Sequence, residues 1–274
     1  MDIRSPMGRR RLFWIGIGAL ALITLILRTL ALTLCLDSEI GYFANGAALP
    51  VVARILTVVS LLACFAPLFL FKAQELPEAR KPLGLAGRIA AGIAAVCFLV
   101  TAVYLLTHLT SLPAPAVLVL LAAIFSVLAA LFFVLLLRGQ ERSAAPCGYG
   151  VILAAVLMLS ITYFDRYTQM NAPHKVSLHL AMLSIMLCML FEIRPMIGRG
   201  KPRGLAVTSA ICFLCTAVFG GSNLIALLAG VYTDPLYLMG DLAALGFAVY
   251  LACRTVADLL PTAPLDPIET EEKQ

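Results

Sequence analysis

Charge is scarce in this chain: Lys, Arg, Asp and Glu make up 13% of its 274 residues, about half the share of a soluble domain. With 62% hydrophobic residues and a mean hydropathy of +0.99, that shortage excludes an ordinary soluble enzyme and a disordered protein. Histidine occurs three times and tryptophan once. No GxSxG, Walker A, GxGxxG or HExxH pattern occurs, so neither a nucleophile elbow nor a phosphate loop, dinucleotide fold or zinc-protease helix is indicated. Basic residues form no stripe with interleaved aromatics, so the net charge of +5 does not point to nucleic acid.

Cysteine is present but does not read as a disulfide framework. Six of the eight cysteines lie inside apolar runs, where a thiol behaves as a small hydrophobe. Cys212 and Cys215 form a CxxC among Ile211, Phe213 and Leu214, a setting that favours packing over metal or redox chemistry. His174 and His179 are five residues apart, about 140° around a helix, which is poor for joint metal ligation. No metal and no cofactor is therefore expected, and no catalytic residue is assigned.

What the chain has is length of apolar run. Eight segments, about 12–34, 50–71, 87–109, 115–137, 149–165, 175–192, 204–230 and 235–256, are each near the roughly 20 residues that cross a bilayer as a helix. The first is too long for a cleaved leader and contains Arg28, so it reads as an uncleaved helix. Asp165-Arg166-Tyr167 spells a motif of class A receptors, but it falls on the outer side of an eight-span chain, which excludes that reading. Alternate loops carry 16 of the 20 basic residues, which predicts an inner (plasma) membrane protein with both termini cytoplasmic.

Two pairs of segments recur in order. KPLGLA (81–86) and AVCFLVTAVY (95–104) are echoed by KPRGLA (201–206) and AICFLCTAVF (210–219). The sequence thus predicts an all-α polytopic membrane fold of eight transmembrane helices arranged as a 4+4 parallel internal repeat. Its halves would be residues 1–138 and 139–260, followed by a short cytoplasmic tail, 261–274. The glycine pair Gly220-Gly221 is a candidate interruption of the seventh helix, the bland alternative being close helix packing.

Ionisable groups inside a bilayer are costly and mark candidate sites. On this topology they gather in the outer third. Asp241 lies six residues beyond Pro235, about 9 Å into the last helix, and has no long stem with which to reach water. Arg28 and Arg54 lie at similar depths, with snorkelling to headgroups as the alternative. His108, His179, Asn223 and Asp165 complete the candidate substrate-binding set. In the repeat alignment His108 and Asn223 fall at the same position, and the 167–173 linker is expected to cap the cavity. The inner half shows almost nothing comparable, with Glu192 and Arg194 near its edge.

Three functions fit. The first is a transporter or permease binding a small anionic or zwitterionic solute, with Asp241 or His179 carrying a proton. The second is a non-catalytic sensor module or partner subunit of another membrane protein. The third is an intramembrane lipid-modifying enzyme, which requires Asp241 and His179 to converge. The expected partners are the lipid bilayer, a solute with a proton, and another membrane subunit.

Overall fold

A computed structural model of the chain describes residues 5–37, 41–72, 76, 82–231 and 234–259. Arg4, Arg80, Lys81, Lys273 and the tail 261–274, which all entered the charge reading, lie outside the described residues. Among the described residues eight helices are long and apolar enough to cross a membrane: α1 (Pro6–Cys35), α2 (Ala48–Leu70), α3 (Leu85–Thr107), α4 (Ala116–Leu137), α5 (Glu141–Phe164), α6 (Pro173–Met196), α7 (Pro202–Leu228) and α8 (Pro235–Leu259). Their number and order match the apolar runs, and the chain is a multi-pass membrane protein in contact with the bilayer.

Two boundaries differ from the sequence reading. The fifth and sixth apolar runs, 149–165 and 175–192, are the shortest of the eight, yet α5 and α6 each have 24 residues. Helix α5 begins at Glu141 because its first turns are polar but still helical. Gly139 and Gly198, at φ values of 73° and 74°, follow α4 and α6 in the left-handed conformation that ends helices. A small antiparallel hairpin, β1 (Leu36–Asp37) and β2 (Tyr42–Phe43), joins α1 to α2. It leaves no signature in the sequence, since two-residue strands have no readable period.

An even number of spans returns the chain to its starting side. Arg11 Nη2 donates to Leu259 O at 3.2 Å, joining the first turns of α1 to the end of α8. On this terminal face, Arg9 Nη1 donates to Leu70 O at 3.3 Å and Arg203 Nε to Phe71 O at 2.9 Å. The arginines thus satisfy acceptors at helix C-termini, where positive charge is favoured. The opposite side is called the far face below.

Helix α8 is the hub. Two thirds of its apolar window (67%) is buried, against 28% for α1 and for α2. It packs on α3, α7 and α6. Close approach is made possible by small residues: a Cβ on Gly246 would stand 2.9 Å from Cys97 Cβ and 3.2 Å from Ala94 Cα on α3. Phe133 of α4 stacks on Phe98 of α3 at 5.6 Å and meets Tyr250 of α8 at 5.2 Å. Thr101 Oγ1 donates to Met239 O across the α3–α8 seam at 3.1 Å. The α1–α2 pair is held by a buried Thr24–Ser60 hydroxyl bond of 3.2 Å. Helix α6 packs along α7, whereas α2 packs on α1 and α7 rather than along α3. Helix packing therefore does not follow the pairing that two equivalent four-helix halves would give.

The start of α8 carries one separable contribution. Asp234 Oδ1 accepts from Leu236 N at 2.9 Å, the bond of an N-cap. Partial burial pushes its carboxyl above the usual range, the Leu236 N–H pulls it back, and nearby Asp165 pushes it up again. Asp234→Ala is expected to cost about 1 kcal/mol, as loss of a cap does. A raised carboxyl favours the protonated form in the folded state, so the net stability linked to its protonation is full at low pH and lost as pH rises through the folded value, while the cap bond itself remains. Asp234→Asn keeps an acceptor without the charge, and its melting temperature relative to wild type should rise with pH. Thermal unfolding in detergent between pH 4 and 8 checks both variants; an alanine variant as stable as wild type contradicts the capping role.

Candidate functional site

The far-face third holds a cavity of about 350 Å³ between α2 and α6, floored by α1 and α7. Arg28 reaches it from α1 and Arg54 from α2. Between Pro173, Ser177 and Leu180 of α6, spaced at i, i+4 and i+7, runs one helical stripe that forms the opposite wall. Asn171 of the α5–α6 linker and Phe43 of the hairpin also line it, so the linker does border the cavity as the sequence suggested.

Arg28 does not snorkel. Its Nε donates to Ser222 Oγ at 3.1 Å and its Nη2 to Pro173 O at 3.1 Å. The guanidinium carbon stands 4.9 Å from the centre of the Phe219 ring, a cation–π distance. These contacts fix the planar group at the cavity edge. Arg54 is exposed and lines the cavity from the other side.

Behind Arg28 lies a buried polar layer. Asn223 Nδ2 donates to Asp241 Oδ1 at 3.2 Å and to His174 O at 3.3 Å, and Ser177 Oγ donates to Asn223 Oδ1 at 3.2 Å. Asn223 and Asp241 are fully buried. Among the described residues Asp241 Oδ2 has no hydrogen-bond partner. Ser222 contacts Arg28 and its chain neighbour Asn223 contacts Asp241, so one turn of α7 links the cavity arginine to the buried acid.

Local backbone geometry explains that turn. Residues Thr216–Gly220 form a π-helical turn, which inserts one extra residue and re-aims the residues beyond it. Helix α7 continues through Gly220 and Gly221; it is not interrupted there, and the π turn precedes a close-packed glycine pair, the alternative set beside an interruption. A Cβ on Gly220 would stand 3.2 Å from Asp241 O and one on Gly221 3.0 Å from Leu25 Cδ1. The glycines thus let α7 approach α8 and α1 closely.

Asp165 caps α5 and is buried rather than solvated: its Oδ2 accepts from Tyr237 OH at 2.9 Å and its Oδ1 from Tyr167 N at 2.9 Å. The Tyr237 ring meets His174 edge-on at 5.0 Å, so Asp165 touches the Asn223 layer through two intermediaries. Lys175, at the start of the sixth apolar run, is fully buried and donates to Asp165 O at 2.9 Å and Thr168 O at 3.1 Å.

Two candidates stand apart. His108 is exposed at the end of α3, stacked on Tyr104 at 4.2 Å, and shares nothing with its supposed counterpart Asn223. His179 is bonded to Thr162 of α5, 2.9 Å from Nε2 to Oγ1. It follows Ser177 by two residues, about 200° around α6, which turns it away from the cavity wall.

A second polar cluster gathers around Glu192, noted in the sequence near the edge of the inner half. Near the terminal face Arg254 is fully buried. Its Nη2 lies 3.2 Å from Glu141 Oε1 and its Nε 3.7 Å from Glu192 Oε1, which also accepts from Tyr250 OH at 3.0 Å. The one available signal for Arg254 was its position five residues before Leu259 on a helix whose polar residues recur inward. Among the described residues no three His, Cys, Asp or Glu side chains are grouped to hold a metal ion. The chain matches no protein-family model, no curated protein and no solved structure.

Proposed function

We propose that this chain is a transporter or permease of an inner membrane, with both termini cytoplasmic and its binding cavity facing outward. It would take a small solute bearing an anionic or zwitterionic group, held by Arg28 and Arg54, with Asp241 carrying a proton coupled to it. The observation that carries this reading is the continuity from cavity to buried acid: Arg28 at the cavity edge, Ser222 and Asn223 on one turn of α7, and Asp241 with one oxygen unsatisfied. Orphaned polar atoms in a dry interior are costly, and a proton-transfer site supplies a reason to retain one. The asymmetry of basic residues between loops supports the orientation.

The halves 1–138 and 139–260 are proposed as products of a duplication, on the strength of the paired KP-x-GLA and A-x-CFL-x-TAV segments. This is a relation of sequence; the packing around the hub has diverged.

Reconstitution in liposomes tests the function. Wild-type protein should show inward proton movement, followed with an internal pH dye, on addition of phosphate, carboxylates or amino acids to the outside. Asp241→Asn keeps an acceptor for Asn223 and should lose at least tenfold in coupled proton flux while still binding the solute. Absence of flux across that panel in folded wild-type protein overturns the transport reading.

A further inference from the structure

The cavity between α2 and α6 has two unlike parts. Its upper part carries the two guanidinium groups. The rest of its lining is mostly hydrocarbon: Val58 and Leu61 of α2 lie deeper than Arg54, Val176 and Leu180 of α6 lie above and level with the arginines, and Phe219 lies against Arg28. Leu61 is 13 residues beyond Ala48, about 20 Å along the helix, so this apolar part runs past the middle of a roughly 30 Å hydrocarbon core. Val58, Val176 and Leu180 are each more than two fifths exposed, and α2 packs on α1 and α7, so the seam beside α6 faces the lipid.

A water-soluble anion gains nothing from that hydrocarbon lining. Nor does a bare lipid tail account for Arg54, which has no hydrogen-bond or ion-pair partner among the described residues and stands among apolar side chains. A cation in such a place is costly unless an anion meets it. Arginine is matched in shape to phosphate and carboxylate oxygens, which it takes through paired N–H groups. Two guanidinium groups above a lipid-open hydrocarbon channel describe the two ends of one molecule.

We propose that the substrate is an anionic amphiphile that reaches the site sideways from the bilayer, its phosphate or carboxylate head between Arg28 and Arg54 and its chain along Val58, Leu61 and Leu180. This rests on the anion-binding reading above and narrows it. The head chemistry is shared by a lipid and by a free phosphate ester, and the chain is what separates them.

The test uses full-length protein in a neutral maltoside detergent, with binding followed by thermal shift and by equilibrium titration. The probes are dodecyl phosphate, glycerol phosphate and dodecanol. Dodecyl phosphate is expected to bind at least tenfold more tightly than glycerol phosphate, and dodecanol not measurably. Arg54→Gln should weaken dodecyl phosphate at least tenfold. Val58→Trp fills the channel from an exposed, lipid-facing position and should weaken dodecyl phosphate at least tenfold while leaving glycerol phosphate unchanged. If glycerol phosphate binds as tightly as dodecyl phosphate and Val58→Trp alters neither, the amphiphile is overturned and the anion site stands. If neither phosphate binds folded wild-type protein, both fall. If dodecanol binds as well as dodecyl phosphate, the groove is an apolar docking surface and the proposal is overturned.

Discussion

Glu192→Ala is expected to destabilise the folded protein by about 3–5 kcal/mol, the cost of removing one partner from a buried ion pair. Arg254 is fully enclosed, and losing Glu192 removes one of the two carboxylates paired with it, the other being Glu141, whose side chain is 27% exposed. Tyr250 also loses its acceptor. Tyr250→Phe alone removes one hydrogen bond to a charged group and should cost about 1.5–3 kcal/mol. The double variant Glu192→Met with Arg254→Met discards both charges and should recover most of the loss, since apolar replacements of a buried pair are often neutral or better. Unfolding in mixed micelles measures all three. A Glu192→Ala protein within 1 kcal/mol of wild type contradicts the assigned pairing.

Arg28 carries the largest expected functional effect. It joins the cavity to the Asn223–Asp241 layer, and its planar group is fixed by Ser222, Pro173 O and the Phe219 ring. Charge-assisted hydrogen bonds contribute about 1.5–3 kcal/mol each, so Arg28→Gln should weaken binding of a phosphate-headed ligand by about 10–100-fold. Arg28→Lys keeps the charge but loses the paired N–H geometry and should fall between the two. Pro173 O still accepts from Ser177 Oγ at 2.7 Å, so the fold should survive either change. Titration of dodecyl phosphate checks the series; equal affinity for all three proteins contradicts the role.

The membrane spans were legible because their signal is composition summed over twenty residues, and a chain with so little charge leaves few other readings. Depth was legible too, since each residue advances a helix by a fixed rise. Rotation was not. Asp241, Arg28 and His179 lie at comparable depths, yet only the first two turn toward α7, because the facing is set by which helices pack together. Asn223 was found through the glycines beside it, although they pack closely after a π turn and do not interrupt the helix. The Arg254 cluster escaped notice for a related reason. Its members are 58 and 113 residues apart in sequence, and each sits near the end of an apolar run, where a charge passes for an interfacial one. Lys175 is a like case: a lysine two residues into a helix reads as solvated until the carbonyls of Asp165 and Thr168 are seen to fold over it.

The central claim is that Arg28 and Arg54 hold one anionic group between them. A double-mutant cycle on dodecyl phosphate affinity, with Arg28→Gln, Arg54→Gln and the pair in full-length protein, tests it most directly. Joint binding predicts that each single change weakens affinity at least tenfold and that the double variant loses less than the product of the two, because the second arginine has no oriented head left to grip. Affinity that is untouched by either single change in folded protein contradicts it.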